Sequence, residues 1–335
     1  MPKPESWLKV TPKGLYCVPG DFFIDPHSGV DRAIVTHGHG DHARPGHRST
    51  LATAETLAIS ALRMGERAWK QTQAIAYKER IRLGDVEVEL FPAGHVLGSA
   101  QVAMEYKGSR IVVSGDYKRR PDPTCAPFEV VPCDVFITEA TFALPVFRHP
   151  DDQGEIAKLL TSVARNPDRT HLVGVYALGK AQRVMSLLRA AGYDQPIYVH
   201  GALAGLSELY HAFGIDLGEL RNVTPDNKQD LSGAIVLAPP GATNDRWSRG
   251  FTDPLVSFAS GWMRIRQRAR QRGVELPLIL SDHADWDELA DTIEAVGAAE
   301  IWVTHGREDA LVHYAGTKGI RARALSMLGY DEEDE

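Results

Sequence analysis

"VTHGHGDHA", residues 35–43, places three histidines and an aspartate within the six positions from His37 to His42. It follows "RAIVT" (32–36), an apolar, β-branched run that reads as a strand. The cluster therefore falls at a strand end, where sites in α/β folds gather. In extended chain His37 and His39 point to the same side, whereas Asp41 and His42 would point opposite ways. Gly38 and Gly40 permit a bend that lets all four converge. The pattern predicts two adjoining metal sites, with His37 and His39 serving one and Asp41 and His42 the other. Four ligands do not fill two sites, so distant positions must supply the rest.

Three further stretches share one layout, an apolar strand followed by a ligand with glycine nearby. "FPAGHVLGSAQV" (91–102) offers His95, "IVVSGDY" (111–117) offers Asp116, and "IWVTHGRED" (301–309) offers His305. A lone strand-end aspartate is usually a turn or cap residue, so Asp116 counts only in company. Several strand ends on one sheet edge meet at a single place, which makes seven candidate ligands: His37, His39, Asp41, His42, His95, Asp116 and His305. His27, His47, His149, His171, His200, His211 and His313 lack this layout.

The chain has 335 residues, 43% of them hydrophobic, and a formal charge of −7. That length suits two packed units or one large domain with an insertion. A polyanionic partner would need a local basic patch or a metal, because no global positive field exists. Three cysteines (Cys17, Cys125, Cys133) form no CxxC pair, which suits a reducing cytoplasm. The start lacks a signal-peptide layout, and no run of apolar residues is long enough for a membrane span. Up to about residue 145 the chain reads as short strands, interrupted by a helix at "ATAETLAISALRMG" with Thr53 or Thr50 near its start and Gly65 after its end. From about 150, helices and strands alternate, which predicts a parallel doubly wound unit. After about 275 the earlier style returns. We expect a first domain over 1–145, an insertion over 146–272, the second part of the first domain over 273–330, and a solvated acidic tail at 331–335.

HxHxDH, then His95 in "AGHVLGSA", then Asp116 in "SGD" resembles the metallo-β-lactamase fold. "TEAT" (Glu139), "SDHADW" (His283) and "VTHGRED" (His305) resemble the three extra motifs of the β-CASP nucleases, and "ALGKAQRV" (177–184) resembles the helix start that opens their inserted domain. The likeness covers nearly the whole chain and is nearest, by "SGWMRIRQRAR…SDHADW" and by size, to the short bacterial ligase-associated DNA exonucleases. It implies an α/β fold, an αββα sandwich carrying an inserted β-CASP α/β domain. It also implies that His37, His39 and His95 hold one divalent ion, that Asp41, His42 and His305 hold the other, and that Asp116 bridges both. Zn²⁺ is the default for this donor set, with Mn²⁺ as the alternative. Asp25, in "FFIDPH", matches the family's early aspartate, which orients the ligand loop without touching metal.

Two such ions about 3.5–4 Å apart make hydroxide available near neutrality and polarise phosphoryl oxygens. With only Asp41 and Asp116 anionic, the centre keeps a net positive charge, which suits a phosphodiester. His283 oriented by Glu139 matches the family's general acid. The resemblance therefore implies a DNA exonuclease in repair, working beside a DNA ligase or helicase. An RNA-processing nuclease is the alternative, because RNA-acting relatives carry histidine at the position of His305. A small-molecule hydrolase of the glyoxalase or lactamase type lacks the insertion and His283, and a catalytically dead scaffold would not keep all seven ligands. "RIRQRARQRG" (264–273) is the most basic stretch, so Arg264, Arg266 and Arg268 are read as contacts to the nucleic-acid backbone. Lys180, near a helix start, is read as a phosphate contact.

Overall fold

Along the strand Val86–Pro92 burial alternates residue by residue, with Val86, Val88 and Leu90 fully enclosed. That is the period-two signature of a strand with one face on a core. The same rule sorts the neighbouring strands: Ile111 and Val113 face one core while Val112 faces another. The structure, a computed structural model, describes residues 1–325. The acidic tail expected at 331–335 lies outside the described residues.

Contacts divide the chain into two units, Met1–Val146 with the segment from His283 onward, and Phe147–Asp282. In the first unit a six-stranded sheet runs in chain order through Leu8–Thr11, Gly14–Cys17, Phe22–Ile24, Arg32–Ile34, Ser49–Ala52 and Gln71–Ala74. A seven-stranded sheet runs Arg321–Ala324, Glu300–Gly306, Val135–Ala140, Ser109–Val113, Ala100–Tyr106, Val86–Pro92, Arg80–Leu83. Leu15, Phe22, Ile24 and Ile34 of the first sheet share a core with Val88, Leu90, Met104 and Ile137 of the second. Each such side chain contributes about 1.5–3 kcal/mol relative to leaving it in water. The second sheet's other face packs on Leu289 and Ile293 of helix Trp286–Ala295, and on Leu311 and Ala315 of helix Glu308–Thr317. Leu57 and Met64 of helix Ala54–Met64 cover Ala52 of the first sheet and Val35, just past the strand Arg32–Ile34. The layers are helix, sheet, sheet, helix, the αββα sandwich of a metallo-β-lactamase fold.

Strand direction decides where the ligands go. Ser109–Val113, Val135–Ala140 and Glu300–Gly306 are mutually parallel. Two antiparallel steps bring Val86–Pro92 into the same direction. The C-terminal ends of these four strands therefore share one sheet edge, where residues 95, 116, 139 and 305 fall.

The second unit holds a six-stranded, all-parallel sheet in the order Leu220–Asn222, Ile197–Val199, Ile235–Ala238, His171–Gly174, Leu255–Ala259, Leu276–Leu278. Helices Asp152–Arg165, Lys180–Ala190 and Gly201–Ala212 alternate with the earlier strands. The division after this unit falls at Asp282/His283, not at the expected 272/273. Leu276–Leu278 pairs in parallel register with Leu255–Ala259, so its backbone hydrogen bonds are made inside the second unit. The strand Gln71–Ala74 was also not expected from sequence, since "QTQA" is exposed throughout and shows no apolar alternation. Pairing with Ser49–Ala52 alone makes it a strand. No helix among the described residues is long and apolar enough to cross a membrane.

Candidate metal centre

After Val35 the chain leaves the sheet and turns, with the Ala43 amide donating to the His39 carbonyl at 2.8 Å. The turn puts His39 Nδ1 3.1 Å from His37 Nε2 and 3.0 Å from His95 Nε2. Asp116 Oδ2 lies 3.4 Å from His37 Nε2 and 3.7 Å from His95 Nε2. A single N–H on His39 relieves only one of its two close nitrogen pairs. A cation taking all three lone pairs relieves both, and ligands at about 2.1 Å around a tetrahedral ion stand roughly 3.4 Å apart. The residues present fit a divalent ion.

The same Asp116 Oδ2 lies 3.3 Å from His42 Nε2, which is 3.5 Å from Asp41 Oδ2. His305 stacks on His42 with ring centroids 4.9 Å apart and an interplanar angle of 17°. Donor atoms of His42, Asp116 and His305 lie within 4.8 Å of one another, as do those of His37, His39, His95 and Asp116. One carboxylate oxygen thus faces both groups. Asp41, with its side chain 39% exposed, forms the open side.

Protonation follows from these neighbours. Burial pulls the His37 imidazole well below its usual pKa, and burial together with the charge on His42 pushes His305 down to about 3. Burial would lower His42 too, but the carboxylates of Asp116, Asp41 and Asp25 raise it well above the usual range. Burial opposes ionisation of Asp116, yet His42 and the hydrogen bonds from His37 and His42 hold its carboxyl far down. His37 and His305 are therefore ready as neutral donors, whereas His42 must give up a proton to a metal.

Partners around the ligands set their tautomers. Asp25 Oδ1 accepts from the Thr36 amide at 2.8 Å, and Oδ2 accepts from the Thr36 hydroxyl at 2.6 Å and His42 Nδ1 at 2.8 Å. With its hydrogen on Asp25, the Thr36 hydroxyl accepts from His37 Nδ1 at 3.1 Å. Both imidazoles then present Nε2 lone pairs once unprotonated there. Asp25 holds φ 42°, and His305 φ 57°, two left-handed conformations uncommon for residues with a β-carbon. At the facing side His283 Nδ1 lies 2.9 Å from Glu139 Oε2, and its ring stands 4.6 Å from that of His95. The Tyr117 amide donates to Glu139 Oε1 at 2.7 Å, and the Ala284 amide to the Tyr117 carbonyl at 2.6 Å. The aspartate loop and the His283 loop are thereby stitched together.

The structure brings together His37, His39, Asp41, His42, His95, Asp116 and His305, with Asp25, Glu139 and His283 around them. Lys180 departs from expectation. It is 4% exposed, and its ammonium pairs with Asp282 at 3.1 Å. Its helix packs by a broad face that takes in the first turn, so the lysine is enclosed rather than offered to solvent. Arg264 and Arg266 are exposed, and Arg268 lies over the Trp262 ring at 3.9 Å. Two supporting contacts had no sequence signal. Thr53 and Thr56 both donate to the Gly98 carbonyl in the His95 loop, at 2.7 and 3.0 Å.

No family model matches the chain. Among curated proteins, one named probable DNA ligase from Opitutus terrae is 25% identical, the match covering 93% of this chain and 30% of that protein. A ribonuclease from Thermus thermophilus is 24% identical, covering 93% and 89%. An endoribonuclease from Schizosaccharomyces pombe is 32% identical, covering 72% and 38%. The chain thus spans less than half the length of two of these three relatives. Among solved structures, a protein of unknown function from Enterococcus faecalis superposes with a TM-score of 0.59 at 14% identity, over 91% of this chain and 83% of the other. The sandwich has the metallo-β-lactamase fold, and the order of the histidine and aspartate motifs together with these relatives likens the chain to the β-CASP nucleases.

Proposed function

We propose that the chain is a metal-dependent nuclease that hydrolyses phosphodiester bonds at a two-cation centre, with Zn²⁺ as the ions and Mn²⁺ as the alternative. The reading rests above all on Asp116 Oδ2 facing both donor groups, with the His283–Glu139 pair beside them. His37, His39 and His95 would hold one ion, Asp41, His42 and His305 the other, and Asp116 both. Bound ions supply an acidified water and electrostatic stabilisation of charge on the phosphoryl oxygens. The protein's own part is proton handling and orientation. Glu139 would accept a hydrogen bond from Nδ1–H of a protonated His283, whose Nε2–H gives its proton to the departing alkoxide as one P–O bond forms from water and the other breaks. Asp25 and Thr36 keep His42 and His37 turned inward throughout.

Two substrate readings have separate support. RNA is favoured by the ribonuclease names among the relatives, one of which is matched over 89% of its own length. The DNA exonuclease reading from sequence is supported by the match to a protein named a DNA ligase, within which a region like this chain occupies 30%. That same match supports a ligase as the working partner. Sparse cysteine usage, with no CxxC pair, supports a reducing, cytoplasmic setting. Arg264 and Arg266 remain the proposed backbone contacts of the inserted unit.

The deciding experiment offers end-labelled single-stranded DNA and RNA of one sequence to the Zn²⁺- or Mn²⁺-loaded protein. Shortening with 5′-phosphate products is expected, and the faster substrate chooses between the two readings. Failure to consume either under any metal loading would refute the nuclease reading.

A further inference from the structure

Helix Ala54–Met64 ends beside the ligand turn, and its last turn carries Arg63. Arg63 Nη1 donates to the carbonyl of Gly38, between His37 and His39. Its Nη2 stands 3.8 Å from where a β-carbon on Gly40 would sit, so the guanidinium overlies the Gly38–Gly40 turn. Gly40 is exposed and carries no side chain to shield that face. Partial burial draws the Arg63 pKa down, while the Asp41 carboxylate draws it up, so Asp41 lies within its field. A guanidinium stays charged under either influence.

Arg120, on the Asp116 loop, is committed. It pairs with Asp285 and Glu288, and its own amide and that of Arg119 donate to Glu288 Oε1. Arg63 differs: among the described residues its anchor to Gly38 is its one hydrogen bond, and the residue is exposed. A guanidinium has five N–H donors in a rigid fork. One is spent as an anchor, which fixes the plane and removes much of the rotamer cost of binding. The remaining donors belong to an exposed side chain within the field of Asp41, whose own exposure marks the open side of the centre.

We infer that Arg63 is a phosphate-binding residue of this centre, gripping the backbone phosphate adjacent to the one being cleaved. The inference rests on the nuclease reading above. Adjacent rather than scissile follows from position, because the reacting phosphoryl group would lie at the cations, whereas Arg63 rests on the Gly38 carbonyl over the Gly38–Gly40 turn and not on any donor atom of the centre. A planar fork suits a phosphate's paired oxygens. Such a contact discriminates for a chain of phosphates over an isolated diester.

The test compares wild type with Arg63→Gln and Arg63→Lys on two substrates, a labelled single-stranded oligonucleotide and bis(p-nitrophenyl) phosphate, which has no adjoining phosphate. Bound metal is measured on each protein. We expect Arg63→Gln to cut the preference for oligonucleotide over small diester by about 10- to 100-fold, as for loss of a hydrogen bond to a charged group. The slope of log affinity against log salt should shrink by about 0.7, one phosphate contact on a single strand. Arg63→Lys should keep the slope and lose part of the preference, with metal content the same in all three. Equal losses on both substrates together with lost metal would overturn the inference and leave Arg63 as a brace for the ligand turn. So would an unchanged preference. A wild type that cleaves the small diester but no nucleic acid refutes the parent reading, a result separate from a competent wild type matched by its variants.

Discussion

The carboxylate of Asp25 accepts a hydrogen bond from His42 Nδ1 at 2.8 Å across seventeen positions of sequence. The contact orients His42 Nε2 toward Asp116 and Asp41, and Asp25 adopts a left-handed backbone to make it. Asparagine tolerates that backbone, so Asp25→Asn isolates the charge. Metal affinity at the site of His42 should fall about 10- to 100-fold, with the sandwich still folded. Titration with Zn²⁺ followed by calorimetry reads the affinity, and circular dichroism reads the fold. An unchanged affinity would mean that Asp25 serves the backbone alone.

His283 and Glu139 should behave as one unit in turnover. His283→Gln is expected to lower kcat by about 10²- to 10⁴-fold, the usual range for a general acid. Glu139→Gln should do part of the same damage, and the double variant should cost little more than His283→Gln alone. Metal content should stay at the wild-type level in all three. Additive losses in the kcat comparison would separate the two residues.

Metal should stabilise the fold as well as activate it. Ligands that bind only the native state add about 2.7 kcal/mol at a hundredfold excess over Kd. Chelation should therefore lower the Tm and abolish cleavage, and re-addition of Zn²⁺ or Mn²⁺ should restore both. His39→Ala should lose most of the metal-dependent Tm increase. Differential scanning fluorimetry with and without chelator makes the comparison. Full activity in metal-depleted His39→Ala would exclude the proposed centre.

His47 predicts an acid weakness away from the ligands. Its ring is fully enclosed, lies parallel to Trp69 with centroids 6.3 Å apart, and has no hydrogen-bond partner on either nitrogen among the described residues. Burial pushes its pKa down to about 4, with Asp25 acting weakly in the other direction. The unfolded chain, titrating near the usual value of about 6.5, takes up the proton first. The contribution of neutral His47 is thus fully present above about pH 6.5 and is lost as pH falls towards 4. His47→Phe should flatten this part of the stability profile, read as urea midpoints between pH 7 and 4.

Gly306 should tolerate no side chain. It has φ 115°, and a β-carbon there would stand 2.3 Å from the Ala140 carbonyl oxygen. Gly306→Ala is expected to cost about 1–3 kcal/mol in overpacking and to displace His305. Urea denaturation gives the first quantity, and weakened binding of the second metal equivalent gives the other. A variant with wild-type values for both would show that the close approach is relaxed in solution.

Much of the centre was legible because its donors lie beside strand ends. "RAIVT" before His37, "VEVELFP" before His95 and "RIVVSGD" at Asp116 each announce a strand and then a candidate ligand. His305 followed the same rule through "IWVTH". Residues that work through a partner were less visible. Thr53 could be read as a helix cap, but not as a donor to Gly98, because the His95 loop is 45 positions away. Arg63 looks like any surface arginine until the Gly38 carbonyl is found beneath it. Lys180 misled for the converse reason: a helix-start lysine suggests solvent, and Asp282 encloses it. The strand Leu276–Leu278 likewise read as part of the returning first domain until its pairing placed it in the second unit.

Local order alone determined the donor types, their spacing around Gly38 and Gly40, and the alternation that makes strands before them. It did so because side-chain direction along a strand and freedom at glycine are properties of a few adjacent residues. Tertiary structure alone decided that one oxygen of Asp116 faces both donor groups, that Asp25 sets the tautomer of His42, and which cations stay open to solvent. Those outcomes depend on strand order, register and burial, which are fixed by contacts between segments that are not neighbours in sequence and leave no mark on adjacent positions.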